Sequence, residues 1–189
     1  MKKVLFIAVL SIVCLSLNAQ KQFNLEATGF VSVVDSSKNY VVVDVPNTPQ
    51  NKLYQRAKMY LNTLYNNPKF VTAEVENEQI AIDAIDSKEM KIIFVMSGPN
   101  IWTFSYKYVF SFKDNKIKFA PVFKNLVNSY NGSTIDLIGS SILGTVTGLY
   151  NKKGKCLKEK AKIEVENSVN DFVKSLSENM NKQQSNDNW

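Results

Sequence analysis

The chain of 189 residues contains no histidine and only two cysteines, Cys14 and Cys156. Without histidine there can be no Ser-His-Asp triad, no imidazole general base and no zinc site built on imidazole ligands. Hydrophobic residues make up 44% of the chain and charged residues 21%, which is typical of a globular protein rather than a disordered or fibrous one. A chain of this length buries a sizeable core and needs no metal or disulfide for stability.

The first 19 residues have the three-part pattern of a secretory signal peptide. Lys2 and Lys3 come first, an apolar run follows over residues 4–17, and Leu17-Asn18-Ala19 offers a cleavage position before Gln20. The apolar run is too short to span a bilayer well, although a retained N-terminal anchor is the alternative. We therefore predict an exported protein.

Cleavage of this leader would also remove Cys14, which does not follow the small residue that normally precedes a lipid-anchored cysteine. Cys156 would then be the only thiol, so no internal disulfide is expected. Its lysine neighbours predict a lowered pKa for this thiol, but an incidental surface cysteine is the favoured interpretation. Loss of Lys2 and Lys3 leaves 21 basic residues against 17 acidic ones, a net charge of +4. That excess is too small to indicate nucleic-acid binding.

After a lead-in at residues 20–38, the pattern over residues 39–125 predicts a strand, a helix and a run of further strands. Thr48 and Pro49 suit the N-cap and the first turn of the helix, and apolar residues then recur at helical spacing. Beyond Pro68 the period changes to two, as expected for β-strands. The predicted strands cover residues 30–34, 40–45, 70–75, 80–86 and 90–96, and a turn is predicted at 97–100.

Residues 101–112 carry the most regular pattern in the chain, because every second residue is aromatic. This spacing predicts a long strand with one aromatic and one mostly polar face, then a turn at 113–116 and a return strand at 117–123. Burial of six rings stabilises a fold far more than their exposure, so we expect helices to cover this face. A stacking platform for bases or sugars is the alternative, but Lys107 alone on the polar face offers too little charge for phosphates. The six aromatic residues are Trp102, Phe104, Tyr106, Tyr108, Phe110 and Phe112.

The last third of the chain begins with an apolar segment that contains Gly139, Gly144 and Gly148. We interpret residues 126–154 as a glycine-rich buried connector, with a membrane-surface or partner-binding segment as the alternative. Apolar residues then recur at helical spacing, which predicts an amphipathic helix before a polar end of the chain. The helix is predicted over residues 155–181 and a disordered tail over residues 182–189.

Helices that are segregated from a meander of strands define an α+β fold. We predict a two-layer sandwich in which two helices cover one face of an antiparallel sheet. Such a sheet has an open face and free edges, through which the protein could form a homodimer.

Two motifs carry a resemblance to a known family. Val41-Val42-Val43-Asp44-Val45-Pro46 is followed by Leu53-Tyr54-Gln55-Arg56-Ala57 with Tyr60-Leu61 on the helix, and then by the strand meander. This order resembles a secreted Bacteroidetes family that is known as a domain of unknown function with a TATA-binding-protein-like fold, over about residues 39–125. The leader, which ends in Asn-Ala-Gln, is also similar to leaders common in that phylum. The resemblance thus implies an exported protein of a Gram-negative bacterium, located in the periplasm, at the outer membrane or outside the cell. The resemblance implies a curved antiparallel sheet with helices on one face, and it implies no reaction.

Carboxylates are the remaining candidates for general acid–base chemistry. Asp83 and Asp86 flank the end of a predicted strand, and acidic residues alternate over residues 74–78. A glycosidase needs two facing carboxylates, one of them held protonated in an apolar pocket, and nothing in the sequence marks such a pocket.

The glycine-rich residues 139–145 lack the Gly-Lys-Ser/Thr ending of a phosphate-binding loop. We therefore predict no enzyme activity, no metal site and no cofactor.

The chain is most basic just before and within the predicted C-terminal helix. So many positive charges near a helix N-terminus are unfavourable to the helix dipole, and a sequence that keeps them suggests a use in binding. A basic patch beside an apolar segment suits an anionic membrane surface or an acidic polymer, with an ordinary solvated face as the alternative. The lysines are six of eleven residues: Lys152, Lys153, Lys155, Lys158, Lys160 and Lys162.

The sequence therefore favours an exported, non-enzymatic binding or structural module of the bacterial cell envelope, whose partner is an envelope protein or another envelope component. The alternative is a peripheral membrane or lipid-binding protein that acts through residues 135–162. A hydrolase that uses Asp83 or Asp86 is a third and less favoured hypothesis. No nucleic-acid partner is expected, because an exported protein rarely meets nucleic acid.

Overall fold

The computed structural model of the protein describes residues 21–65, 72–86, 88–94, 98–142 and 145–182. The predicted leader with Cys14, and the tail beyond Lys182, lie outside the described residues. The described chain forms three strands, a helix, nine further strands and a second helix, which is the segregated order predicted for an α+β protein. They are β1 (Phe23–Glu26), β2 (Gly29–Ser32), β3 (Val41–Asp44), α1 (Gln50–Leu64), β4 (Thr72–Val75), β5 (Gln79–Ile85), β6 (Met90–Phe94), β7 (Gly98–Lys113), β8 (Lys116–Asn128), β9 (Thr134–Gly139), β10 (Ser141–Ile142), β11 (Thr145–Val146), β12 (Gly148–Asn151) and α2 (Glu159–Lys182).

The long strands β7 and β8 form the centre of the main sheet. They pair antiparallel from Lys113 opposite Lys116 to Trp102 opposite Asn128, with a register shift beside Ser105. On one side of this pair, β7 bonds to β5 and to β6, and β4 lies beyond β5. On the other side, β8 pairs with β3 at its start and with β9 at its end. The predicted meander of antiparallel strands is confirmed.

One face of this sheet forms the core of the protein. All six alternating aromatic residues of β7 are buried, with at most 6% of each residue exposed. Phe172 of α2 packs on Tyr108 and on Phe119 of β8, at 4.6 and 5.3 Å between ring centroids. Tyr54 of α1 contacts Phe112 at 5.6 Å. The α+β fold with both helices over the aromatic face is confirmed, and the covered rings leave no platform on which a base or a sugar could stack.

The N-terminal residues form the hairpin β1–β2, where the sequence predicted one strand at residues 30–34. Side chains of α2 bond the free edge of β1. Asn170 Oδ1 accepts the N–H groups of residues 22 and 23 at 2.7 and 2.9 Å, and Glu166 Oε1 accepts that of Leu25 at 2.7 Å. Two residues one helical turn apart thus take the place of a neighbouring strand. The strand predicted at residues 30–34 corresponds to β2, whereas β1 was missed because the acceptors that bond it come from the far end of the chain.

Helix α1 begins at Gln50, with Pro49 as its N-cap residue. Thr48, which was predicted as the N-cap, is buried, and its Oγ1 donates to the carbonyl oxygen of Pro46 at 3.2 Å. The N–H of Gln50 instead donates to Asp114 Oδ1 of the β7–β8 turn at 2.9 Å. The helix start is therefore capped from the sheet rather than by the preceding hydroxyl.

Residues 126–154, predicted as a connector, belong largely to the sheet. β8 continues to Asn128 and pairs with β9, and after the β10–β11 hairpin the chain returns as β12 parallel to β9. We call residues 134–151 the fold-back segment. Its return is too short for an ordinary parallel crossover, and the two backbones touch where they cross. A Cβ on Gly139 would lie 2.5 Å from the nitrogen of Gly148, so the crossing requires residues without side chains.

Two further boundaries differ from the predictions. Strand β7 already begins at Gly98, inside the turn predicted at residues 97–100, because residues 98–100 pair with β6. Helix α2 spans Glu159–Lys182 rather than residues 155–181, because the residues before it close the fold-back segment.

Candidate functional site

A turn rich in lysine connects β12 to α2. The side chain of Asn151 organises it, because Asn151 Oδ1 accepts the N–H groups of Lys153 and Lys155 at 2.9 and 3.0 Å. Beyond the turn, the N–H of Leu157 donates to the carbonyl oxygen of Leu149 at 2.7 Å. The lysines therefore extend from a backbone fixed on both sides by hydrogen bonds.

Five of the six predicted lysines form what we call the lysine surface: Lys152, Lys153, Lys155, Lys158 and Lys160. Four of them are exposed and Lys158 is half-buried. The sixth, Lys162, does not belong to this surface. Its Nζ lies 3.0 Å from Glu159 Oε1 and 3.7 Å from Glu166 Oε1, and only 23% of its side chain is exposed. Lys162 thus helps to neutralise the buried Glu166 instead of facing a partner.

The charges at the N-terminus of α2 differ from those expected from the sequence. Lys152, Lys153 and Lys155 precede α2, and the first turn of the helix begins with Glu159, whose charge suits the helix N-terminus. Most of the electrostatic cost predicted for this cluster is therefore absent. A binding role of these lysines is therefore supported by their exposure and by the groove beside them, and not by an electrostatic cost.

A groove of about 460 Å³ lies beside Lys160, between β6 and the first turns of α2. Lys88 and Lys91 line it together with Lys160, and the acidic residues Glu89 and Glu164 also face it. Lys88 Nζ is 3.4 Å from Glu164 Oε2, so one of the three ammonium groups is partly neutralised. Spacing along the chain could not reveal Lys88 and Lys91, because only the packing of α2 across β6 places them near the cluster.

The apolar residues of the fold-back segment are used in the core. Ile135 and Leu149 are fully buried, and Tyr150 is 5% exposed and donates its hydroxyl to the carbonyl oxygen of Leu25. Ile138, by contrast, is 41% exposed. Insertion of the buried residues into a membrane would require the sheet edge to unfold. The lysine surface is therefore suited to binding by charge.

Cys156 lies in the chain between two of these lysines but does not share their environment. It forms a β-bridge with Tyr150 and packs half-buried against the core. Burial raises the pKa of the Cys156 thiol, and its hydrogen bond to Glu159 acts in the same direction. The predicted lowering of this pKa was wrong, because the neighbouring lysines face solvent while the thiol does not.

The two aspartates considered for acid–base chemistry have different surroundings. Asp83 lies on the open face of the sheet and pairs with Lys124 at 2.9 Å and with Lys107 at 4.0 Å. Asp86 accepts a hydrogen bond from the hydroxyl of Ser168 on α2. Each carboxylate is thus engaged by other groups, and the two do not form the facing pair that glycoside hydrolysis uses.

Among the residues that the structure describes, no three acidic or cysteine side chains are grouped so that they could hold a metal ion. Within the same residues, neither helix combines the length and the apolar character that a membrane span requires.

An antiparallel-rich sheet with two helices over one face places the chain in the class of two-layer α+β proteins with a TBP-like fold. Residues 40–121 match the family described as a domain of unknown function (DUF4468) with TBP-like fold. This part of the chain is similar to that family, and the predicted resemblance is confirmed. The match starts just before β3 and ends within β8, so the fold-back segment and the lysine surface lie outside it.

Two solved structures are similar to this chain. A DUF4468 family protein from Bacteroides ovatus superposes with a TM-score of 0.54 at 10% identity, covering 75% of this chain and 84% of that one. A TBP-like protein from Parabacteroides distasonis gives a TM-score of 0.44 at 16% identity, over 74% of this chain and 91% of that one. The first similarity shows the fold alone. No curated protein matches the chain in sequence.

Proposed function

We propose that the protein is an exported, non-enzymatic binding module of the bacterial cell envelope, and that it binds an anionic envelope component at the lysine surface. The observation that carries this proposal is the display of five lysines on the hydrogen-bonded turn and the adjoining start of α2, beside a groove. Lys88 and Lys91 line the same groove and extend the positive charge away from the turn.

Charge and shape both support an anionic partner. A cluster of exposed ammonium groups attracts anions over about 8 Å at physiological ionic strength, whereas the groove offers room for a group that enters between strand and helix. Export is supported by the leader pattern in the first 19 residues.

The test is co-sedimentation of residues 20–189, which include every described residue, with isolated bacterial envelopes. The variant replaces Lys152, Lys153, Lys155, Lys158 and Lys160 by glutamine. We expect it to bind at least about tenfold more weakly, because each lysine near an anionic surface contributes about 1 kcal/mol.

The matched control replaces five exposed lysines elsewhere by glutamine, so that both variants carry the same net charge. These control positions are Lys52, Lys113, Lys116, Lys118 and Lys174. The control should bind within about twofold of the unchanged protein, since its lysines lie away from the proposed surface. Equal weakening of both variants would show that net charge, and not this surface, determines the binding.

A second candidate function is peripheral membrane binding, favoured by the exposure of Ile138 within the fold-back segment beside the lysines. Flotation with vesicles of pure phosphatidylglycerol or pure phosphatidylcholine separates the two candidates. Salt-sensitive flotation with the anionic vesicles, lost in the five-lysine variant, supports the membrane as the anionic component. Binding to envelopes without flotation supports a protein or polymer partner.

A further inference from the structure

A second, smaller cavity shares Lys88 with the groove and has a different character. Its volume is about 230 Å³, and it lies between the chain that follows β5, strand β7 and helix α2. Its apolar wall consists of Tyr106, Tyr108 and Phe172. Asp86, Ser168 and Asp171 supply its polar wall.

Asp86 is fixed in this wall by three hydrogen bonds, two of which reach its carboxylate. Its backbone N–H donates to the carbonyl oxygen of Phe104 at 2.7 Å, which ties the residue to β7. Oδ1 accepts the N–H of Lys88 at 2.9 Å, and Oδ2 accepts the hydroxyl of Ser168. These bonds to the anion leave further lone pairs on both oxygens, so the carboxylate can still accept a hydrogen bond from a ligand.

The negative charge of the cavity is not neutralised within the described chain. Neither Asp86 nor Asp171 has a lysine or arginine nitrogen within 4.0 Å among the described residues. Lys88 is the one cation in the lining, and its ammonium group lies 3.4 Å from Glu164. Two carboxylates of one cavity are thus without a cation among the described residues, although basic residues outnumber acidic ones in the chain.

The aromatic wall suits a cation as well. Tyr106 and Tyr108 stack at 4.1 Å between ring centroids, and Phe172 lies 4.6 Å from Tyr108. Burial raises the pKa of both tyrosines, so their hydroxyls are neutral at physiological pH. A neutral phenol oxygen accepts an N–H bond, and an aliphatic chain can pack against the ring edges.

We propose that this cavity binds a protonated primary amine carried on a short aliphatic chain. The ammonium group would donate to Asp86 and face Asp171, while the aliphatic part contacts the aromatic wall. A cavity of this size is smaller than those of drug-sized ligands, which take about 300–1,000 Å³, and it therefore selects a small group. The inference does not rest on the lysine surface, since the two sites attract opposite charges.

The experiment titrates residues 20–189 with n-butylammonium chloride by calorimetry, and with n-butanol as the uncharged match. We expect saturable binding of the amine with a dissociation constant on the order of 1 mM, and binding of the alcohol at least about tenfold weaker. Equal affinity for amine and alcohol overturns the proposal. Nα-acetyl-lysine methylamide then distinguishes a free amine from a lysine side chain of a protein as the source of the ammonium group.

Substitutions of the aspartates test whether the amine binds in this cavity. Asp86→Asn should weaken amine binding at least about tenfold, whereas the matched control Asp83→Asn removes an aspartate of the open face and should bind as before. Asp171→Asn changes an exposed carboxylate and should bind about threefold more weakly, which keeps the test valid even if Asp86→Asn does not fold. The proposal is overturned if Asp171→Asn binds the amine as tightly as the unchanged protein and Asp86→Asn either does the same or does not fold. The five-lysine variant should bind the amine at least as tightly as the unchanged protein, so this site and the lysine surface can fail separately.

Discussion

The centre of the sheet and the fold-back segment are both buried, but they are held together in different ways. In β7 the core is built by large side chains, whose rings alternate with polar residues along one strand. In the fold-back segment the decisive residues are Gly139 and Gly148, where side chains are absent and backbones touch. The first region stabilises the protein through burial, and the second fixes the path of the chain that carries the lysines.

The aromatic centre lies in the part of the chain that matches the family, whereas the proposed binding site lies outside that part. The match to the family ends at residue 121, within β8, and thus contains the aromatic centre. The fold-back segment and the lysine surface follow it in the chain.

The largest effect should come from the centre. Phe110 is fully buried and packs against Phe119 and Phe172 at 5.3 and 6.0 Å between ring centroids. Phe110→Ala removes these contacts and leaves a cavity, which should lower the free energy of unfolding by about 3–5 kcal/mol. Urea unfolding followed by tyrosine and tryptophan fluorescence measures the loss. Ser111→Ala, the next residue on the opposite face, should change it by less than about 0.5 kcal/mol.

The fold-back segment should respond to an added methyl group. Gly148→Ala places a Cβ against the backbone of Gly139, which cannot move aside as a side chain could. We expect a loss of about 1–3 kcal/mol in the free energy of unfolding, from overpacking instead of a cavity. Ser133→Ala in the exposed turn before β9 is the control and should be neutral. A neutral Gly148→Ala would contradict the close crossing.

The smallest effect concerns charge at the opposite edge of the sheet. Glu74 on β4 accepts hydrogen bonds from Lys58 and from the hydroxyl of Tyr54, each at 2.8 Å. The bond from Lys58, and then that from Tyr54, lowers the pKa of Glu74 below its usual value of 4.5. The stabilisation is therefore present above pH 4.5 and is lost as the pH falls through the lower pKa of the folded state.

Comparison with Glu74→Gln measures this contribution. The unchanged protein should be more stable than the variant at pH 7 by about 0.2–1 kcal/mol, as expected for a pair near the surface. The difference should shrink when urea unfolding is repeated at progressively lower pH down to about 3. A difference that grows on acidification would contradict the assigned bonds.

The sequence predicted those parts of the fold that depend on near neighbours in the chain. The alternation in β7 and the turn before β8 are local patterns, and both were correct. The β1–β2 hairpin was missed because Glu166 and Asn170, which bond β1, lie more than 140 residues away. The fold-back segment was interpreted as a connector because glycines spaced through an apolar run do not reveal which backbones touch.

The candidate sites also differ in how far the sequence alone could predict them. The lysine cluster is contiguous and could be read directly, but only the structure separates Lys162, which faces Glu159 and Glu166, from the five that form the surface. Lys88 joins the groove through the packing of α2 across β6. The amine cavity could not be predicted at all, because β7 and α2 bring its walls together from distant parts of the chain.

The role of the lysine surface is tested most sharply by side-by-side co-sedimentation of the two charge-matched lysine variants with bacterial envelopes. We expect the variant of the lysine surface to lose binding at least about tenfold while the control variant stays within about twofold of the unchanged protein. Equal binding by the two variants would contradict the assignment of the lysine surface as the binding site.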